Sequence, residues 1–282
     1  MIGRLAGALI QCAPGVVLID VGGVGYRAQI PLSTFYRLAA ATGTGVVLHV
    51  HTHVREDSLS LFGFATEDGP VPIVPAAILY DLGIGHADVR PTAADGAAAC
   101  DAAERGDEPI EGSIGAGTGA TVAKLSGPDG VRMGGVGMAG RKLADRHVLA
   151  AMAVCNALGS VVGRDGRVIA GPSPDSLPAT TPSHLEQTTL AVIATDVDLD
   201  RSQCRRLAEL GHDALARSIV PVHTLYDGDT VFALSTGSGE AMPPGEFMGL
   251  GIAAVEVLSE AIERSVRTAT SRGGVPSVSE GV

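Results

Sequence analysis

The pattern of apolar residues changes near residue 67, and this change constrains the fold more than any other feature of the chain. Before it, short runs alternate polar and apolar residues or are rich in β-branched residues, which is typical of strands. After it, the segments are longer and richer in Ala and Gly. The sequence therefore predicts a small β-domain at residues 1–66, a junction at 67–70 (EDGP), and a second domain from residue 71 onward.

The first domain is predicted to be a closed barrel. Five short strands within residues 1–66 favour closure, because a closed sheet has no exposed edges. Besides the N-terminal run, strands are expected at 15–21, 25–31, 46–54 and 58–64, with one helical turn at 32–38.

The second domain mixes helices and strands. Apolar residues recur at helical spacing in Asp200–Ser218 and Pro244–Arg267, and Ala93–Arg105 is a further helix candidate. Thr189–Thr195 and 230–234 predict strands, whereas the apolar run at 148–159 fits either a buried strand or a buried helix. The polar, Gly- and Pro-containing C-terminus is expected to be a disordered tail at 266–282.

Composition narrows the classes of function. A net charge of -11 and an aromatic content of 3% argue against broad nucleic-acid binding, which needs clustered basic residues or stacking rings. No apolar stretch approaches the length of about 18 residues that a membrane span needs. The four cysteines are widely spaced, which favours reduced thiols in a cytoplasmic protein over a disulfide framework or a zinc site.

Two further patterns suggest ligand sites only weakly. His49, His51 and His53 alternate along one strand and so share one face, a spacing that could bind a metal ion but that more often marks a solvated face. Gly115-x-Gly117-x-x-Ala120 fits a dinucleotide fingerprint, but the residues before it make a poor strand. We expect a tight turn there, and neither a metal nor a cofactor.

The first domain resembles the N-terminal oligonucleotide-binding (OB) barrel of the Holliday-junction subunit RuvA. The matching stretches are MIGRLAGAL at 1–9, VLIDVGGVGYRAQIPLSTFYRL at 17–38 and HTHVREDSLSLFGFAT at 51–66. Glu56 and Asp57 fall where that family carries its acidic pair at the junction centre. Nothing after residue 66 resembles the family's helix-hairpin-helix repeats, so most of its DNA grip is absent.

The second domain resembles a different family, the self-cleaving L-aminopeptidase/D-esterases typified by DmpA. The resemblance runs from about Val71 to Glu263. Its motifs include GAGTGATVAKL at 115–125, MGGVGMA at 133–139, LAAMAVCNALGSVV at 149–162, TTLAVIATD at 188–196 and the run from Arg205 to Gly237 that contains YDGDT. The fold implied is α+β: a small OB-type barrel followed by an α-β-β-α sandwich that lacks the family's N-terminal part.

This resemblance implies an N-terminal-nucleophile mechanism. The precursor would cut its chain before Thr188, whose freed α-amine then serves as the general base for its own hydroxyl. The resemblance assigns an oxyanion donor to Asn156, and orientation of the nucleophile and its ammonium to Asp227 and Asp229. The family usually has Gly or Asn before the cut, whereas this chain has Gln187.

The implied activity is release of N-terminal residues from peptides, amides or esters by a cytoplasmic homo-oligomer that needs no cofactor and no membrane. Two alternatives stay open. The chain could be a RuvA-like module that binds DNA junctions, or a non-functional fusion product whose barrel stands in place of the peptidase family's first strands.

Overall fold

The computed structural model describes residues 2–54, 59–65, 75–144, 146–172 and 187–279. Contacts divide the chain into two compact units, Met1–Pro75 and Ala76–Val282. The expected junction at 67–70 and the first residues of the expected peptidase-like region, 71–74, lie outside the described residues.

The first unit contains the closed five-stranded barrel that the sequence predicts, with strand order β1-β2-β3-β5-β4. Large apolar side chains, including Leu9, Ile19 and Leu48, fill its core and are fully buried. The expected short helix follows β3. The elements are β1 (Arg4–Ala13), β2 (Val16–Val21), β3 (Val24–Gln29), α1 (Leu32–Leu38), β4 (Gly45–Val54) and β5 (Leu59–Phe64).

The second unit is built on a four-stranded sheet with two long helices on one face. The expected helices and strands are present, and the ambiguous run at 148–159 forms a strand followed by a turn. The elements are α2 (Ala93–Arg105), β6 (Thr121–Val122), β7 (Arg132–Met133), β8 (Val136–Lys142), β9 (Val148–Asn156), β10 (Ser160–Val162), β11 (Val168–Ala170), β12 (Thr188–Thr195), α3 (Arg201–Ser218), β13 (Ile219–Val220), β14 (Thr230–Ser235) and α4 (Pro244–Arg267).

The main sheet has the order β14-β12-β9-β8, with β14 parallel to β12 and the other pairs antiparallel. Alternate residues of β9 and β12, such as Leu149 and Ile193, pack with Leu207 of α3 and Leu258 of α4 in one core. Gly137 in β8 lets α4 approach, because a Cβ there would overlap the backbone at Ala261. Smaller sheets have the orders β11-β10-β13 and β6-β7.

The opposite face of this sheet is less covered. Val148 and Met152 of β9 and Leu234 of β14 are 38–44% exposed. The arrangement of mixed α and β elements agrees with the expected class, while the complete α-β-β-α sandwich stays a prediction.

The C-terminal segment differs from the expected disordered tail. Helix α4 continues to Arg267, and residues 268–279 are fixed by contacts with the body of the second unit. Residues 280–282 of the expected tail lie outside the described residues. Ser113 and Thr270 exchange two hydrogen bonds of 3.0 Å, and Met133 N donates to Pro276 O. Ala269 is fully buried. Polar composition predicts disorder here, but hydrogen bonds to residues far away in sequence hold the segment in place.

Candidate functional site

The site forms where three chain segments meet at one end of the main sheet. Asn156 ends β9 and lies opposite Thr188, the first residue of β12. The loop before β14 runs beside the start of β12, and a parallel bridge joins Gln187 to Asp227. Strand β14 pairs with β12 from Leu190 onward. The residues just before β14, Asp227–Asp229, therefore lie next to the Gln187–Thr188 peptide bond.

The hydroxyl of Thr188 is directed at the peptide bond that precedes it. Its Oγ1 donates a hydrogen bond of 2.7 Å to the carbonyl oxygen of Gln187. The residue is 9% exposed. A hydroxyl held against the carbonyl of its own peptide bond is placed close to the carbon that it would attack during self-cleavage.

The same carbonyl oxygen accepts a second hydrogen bond. Gly228 N donates to Gln187 O at 2.7 Å. A Cβ at position 228 would lie 3.0 Å from Thr188 Oγ1, so the glycine leaves room beside the hydroxyl. A backbone N–H aimed at a carbonyl oxygen can stabilise the negative charge that develops there when the carbonyl is attacked.

Gln187 is held at its other polar groups as well. Its backbone N donates to Tyr226 O at 3.2 Å. Its side-chain Oε1 contacts the Nζ amine of Lys124. The residue before the expected cut is therefore fixed through its amide nitrogen, its carbonyl oxygen and its side chain.

Asn156 is buried, and three hydrogen bonds position its side-chain amide. Its Oδ1 accepts hydrogen bonds from Thr121 N at 3.1 Å and from Lys124 Nζ at 2.7 Å. Its Nδ2 donates to Tyr80 O at 2.7 Å. Because an NH₂ group has two hydrogens, this arrangement fixes the amide and leaves its second hydrogen for a further acceptor.

Lys124 is the most strongly perturbed cation of the site. Burial lowers the pKa of its amine to about 7, while nearby acidic groups, including Asp227 and Asp81, oppose that shift. An amine that titrates near neutral pH can donate hydrogen bonds or exchange a proton under physiological conditions.

Asp229 anchors the start of β12. Its Oδ1 accepts a hydrogen bond from Thr189 N at 2.8 Å. Its Oδ2 makes no well-formed hydrogen bond, yet it lies 2.9 Å from His223 Nδ1, which is close enough for an ion pair when the histidine is protonated. Burial raises the pKa of the Asp229 carboxyl, and Asp227 adds to the rise, while Thr189 N–H and His223 oppose it.

A histidine pair extends from this carboxyl. His223 adopts a left-handed backbone conformation with φ of 53°, and its Nε2 lies 3.3 Å from His212 Nδ1. Burial and the neighbouring His223 lower the pKa of His212. The chain Asp229–His223–His212 thus connects a buried carboxyl to partly exposed imidazoles.

Asp227 lies in the same loop but is oriented differently. Its Oδ2 accepts hydrogen bonds from Thr224 N at 2.9 Å and from Thr224 Oγ1 at 2.7 Å. These bonds close the turn that brings Gly228 N to the Gln187 carbonyl. The structure therefore places this carboxylate in support of the loop, where it also acts electrostatically on Lys124.

The four residues that the sequence singled out in this domain are thus brought together: Thr188, Asn156, Asp227 and Asp229. Sequence reasoning missed Lys124, His223 and the N–H of Gly228. A lone lysine in the GATVAKL segment is the one available signal for Lys124, because lysines are seldom buried among small apolar residues without a partner. A backbone N–H gives no residue-type signal.

The Gly-rich turn at 115–120 packs beside the site, as expected. Gly115–Gly117 forms a single 3₁₀ turn, and a Cβ at Gly117 would crowd the backbone at Gly135. In residues 106–130, all of which the structure describes, no strand directly precedes this turn and no long helix follows it, so it lacks the strand–helix context of a dinucleotide site.

The site candidates of the barrel belong to the first unit. Glu56 and Asp57 lie outside the described residues, and His49, His51 and His53 lie on β4. Within the described ranges, no three His, Cys, Asp or Glu side chains come together as a metal site. In the same part of the chain, no helix has the length and apolar character that crossing a membrane requires.

Comparison with known proteins supports the resemblance to the peptidase family. The model of Peptidase family S58 matches residues 20–278, a span that begins earlier than the expected Val71 and includes part of the barrel. An uncharacterized aminopeptidase of Mycobacterium leprae is 37% identical over 273 residues, which cover 86% of this chain and 71% of that protein. The aminopeptidase-type hydrolase class expected from the sequence is therefore confirmed.

The barrel resemblance is confirmed as well. The Holliday junction branch migration complex subunit RuvA of Nitrosospira multiformis is 57% identical over 67 residues, 24% of this chain and 34% of that protein.

Among solved structures, the L-aminopeptidase D-Ala-esterase/amidase of Ochrobactrum anthropi is 24% identical with a TM-score of 0.46, covering 60% of this chain. The chain spans about half of that protein, 48% of its length.

Proposed function

Because the chain belongs to Peptidase family S58, we propose that it is an N-terminal-nucleophile aminopeptidase and esterase. In this proposal the precursor cuts itself between Gln187 and Thr188. The mature protein then releases N-terminal residues from short peptides, amides or esters.

One observation carries the proposal: Gln187 O accepts hydrogen bonds from both Thr188 Oγ1 and Gly228 N. Attack of Thr188 Oγ1 on the Gln187 carbonyl carbon forms a five-membered ring. The Gly228 N–H stabilises the resulting oxyanion. When the carbon–nitrogen bond breaks, the hydroxyl proton ends on the new amine, and water hydrolyses the remaining ester.

In the mature protein, the freed α-amine of Thr188 acts as the general base. An α-amine has a pKa of about 7.7–8.0, so roughly a fifth to a third of it is neutral near pH 7.4 and can accept a proton. It takes the hydroxyl proton as Oγ1 attacks the substrate carbonyl, and the proton passes to the leaving amine or alcohol. Asn156 contributes its second amide hydrogen to the oxyanion, and Asp229 holds the start of β12 through Thr189.

A chromogenic assay tests this function. Purified protein is incubated with aminoacyl p-nitroanilides and esters, each with a free and a blocked α-amine. We expect hydrolysis of the free-amine substrates only, because an aminopeptidase recognises that charge.

Two isosteric variants provide the matched comparison for that assay. Thr188→Val removes the nucleophile and should abolish hydrolysis. Thr189→Val removes the neighbouring hydroxyl and should leave hydrolysis intact. Equal rates for wild type and Thr188→Val on every substrate would contradict the enzyme assignment and favour a non-functional fusion product.

A second candidate function is binding of four-way DNA junctions by the barrel. The observation that favours it is the 57% identity to RuvA over 67 residues. The net charge of -11 weighs against strong binding, since phosphate contacts need clustered Lys and Arg.

A further inference from the structure

Gln187 occupies the position that the first residue of a substrate would take. During self-cleavage its carbonyl is the one that Thr188 attacks, and in catalysis the substrate's scissile carbonyl must reach the same hydroxyl. The residue is held by Tyr226 O at its nitrogen, by Gly228 N at its carbonyl oxygen and by Lys124 Nζ at its side chain. These contacts describe a binding site for one whole amino-acid residue.

We propose that Lys124 makes the mature enzyme selective for substrates whose N-terminal residue is glutamine or glutamate. This inference rests on the proposed function, because it concerns the same site. The side-chain oxygen of such a residue takes the place of Gln187 Oε1 at the lysine amine.

The surroundings of Lys124 explain why such an oxygen matters. The amine donates to Asn156 Oδ1 at 2.7 Å and to Asn156 O at 3.4 Å, which fixes its position and leaves one hydrogen for the side chain of the bound residue. A buried donor without an acceptor is costly. An N-terminal residue of the same length but without an oxygen would lose this hydrogen bond and would also leave the buried amine without an acceptor. Both losses disfavour its binding.

The contact at Gln187 N suits the α-amine of an N-terminal residue. An ammonium group at this position would donate to Tyr226 O, the acceptor that Gln187 N uses here. A carbonyl oxygen at this place favours a positive charge. After the precursor is cut, this position is free for the α-amine of a substrate.

The reaction is an ordinary acyl transfer. Thr188 Oγ1 bonds to the glutaminyl carbonyl carbon, and the bond from that carbon to the leaving amine breaks as the amine takes up the proton. Water then hydrolyses the ester to release free glutamine and restore the hydroxyl. Lys124 touches only the side chain of the substrate and takes no part in bond breaking.

The test compares L-glutaminyl, L-glutamyl, L-norleucyl and L-alanyl p-nitroanilides with the mature, self-cleaved protein. Blanks without protein correct for spontaneous cyclisation of the glutaminyl substrate. Norleucine matches the length of glutamine but lacks the oxygen. We expect kcat/KM for the glutaminyl substrate to exceed that for the norleucyl substrate by about 10-fold or more, as for a hydrogen bond to a charged group.

The variant Lys124→Met should bring this ratio close to one, and the ratio is informative even if absolute rates fall. If Lys124→Met is inactive or unfolded, competition in the wild type decides: free L-glutamine should inhibit at a concentration about 10-fold below L-norleucine. Cleavage that depends on Thr188 but shows no preference for glutaminyl or glutamyl substrates would overturn this inference alone. If no substrate were cleaved, the result would contradict the proposed function as well.

Discussion

The barrel and the second unit use buried polar side chains in different ways. In the barrel, the hydroxyl of Thr52 exchanges hydrogen bonds with the backbone of Ile2, which fixes the start of the chain. In the second unit, the side chains of Asn156, Thr188 and Asp229 converge on one end of a sheet, around a single peptide bond. Buried polar groups are costly, so their convergence around one peptide bond indicates a site.

Sequence identity alone would rank the barrel above the second unit as the functional region. The barrel is more similar to its RuvA relative, at 57% identity, than the whole chain is to its aminopeptidase relative, at 37%. Yet the described residues of the barrel contain no comparable cluster of reactive groups. Chemistry is therefore expected from the second unit, and the predictions below test that division.

After loss of the nucleophile itself, the largest effect is expected at Asn156. Asn156→Ala removes an oxyanion donor, a loss that typically costs about 10²–10³ in turnover. Steady-state kinetics on the best aminoacyl p-nitroanilide measures this loss, with far-UV circular dichroism to confirm that the variant is folded. Turnover within about twofold of wild type would mean that the amide only supports Tyr80, Thr121 and Lys124.

The titration of Lys124 should appear in the stability of the protein. Its pKa is about 7 in the folded state and about 10.4 in an unfolded chain, so the unfolded chain binds more protons between these values. The free energy of unfolding should therefore rise with pH from about 7 to about 10 because of this group. The expected rise is on the order of a few kcal/mol.

Urea denaturation at several pH values measures this effect in a Thr188→Val background, which keeps the chain uncut. The same background with Lys124→Met is the control, since other titrating groups, including Asp229 and His212, are common to both. The difference in stability between the two proteins should change across this pH range. A constant difference would mean that the amine keeps an ordinary pKa.

The smallest effect is expected at the barrel. Binding to a four-way DNA junction should be weak, salt-sensitive or undetectable, because the chain is acidic and carries no stretch resembling the RuvA hairpin repeats. Fluorescence anisotropy with labelled junction and duplex DNA measures it. Submicromolar, junction-selective affinity near physiological salt would reverse the division between the two units and support the DNA-binding alternative.

Local patterns predicted the elements of both units well, because periodicity reflects local burial. Helix α4 occupies Pro244–Arg267 as expected, and the five barrel strands appear in order. The segment at 268–279 was mispredicted because Ser113 and Met133, which fix it, lie far away in sequence. Polar composition cannot report contacts of that kind.

The site was predicted in part for a similar reason. Motifs identified Thr188, Asn156, Asp227 and Asp229, whose residue types suit the chemistry. The roles of Lys124 and the Gly228 N–H follow from their distances to Asn156 and Gln187. The role of Gln187 as an occupant of the site follows from three contacts together and from none of them alone.

Self-cleavage is the central claim, and intact mass spectrometry of the purified protein over prolonged incubation tests it most directly. The account predicts that wild type and Thr189→Val resolve into fragments of 187 and 95 residues, the second beginning at Thr188. Thr188→Val should stay at the full length of 282 residues. A wild-type protein that remains a single chain under every condition, indistinguishable from Thr188→Val, would contradict the account.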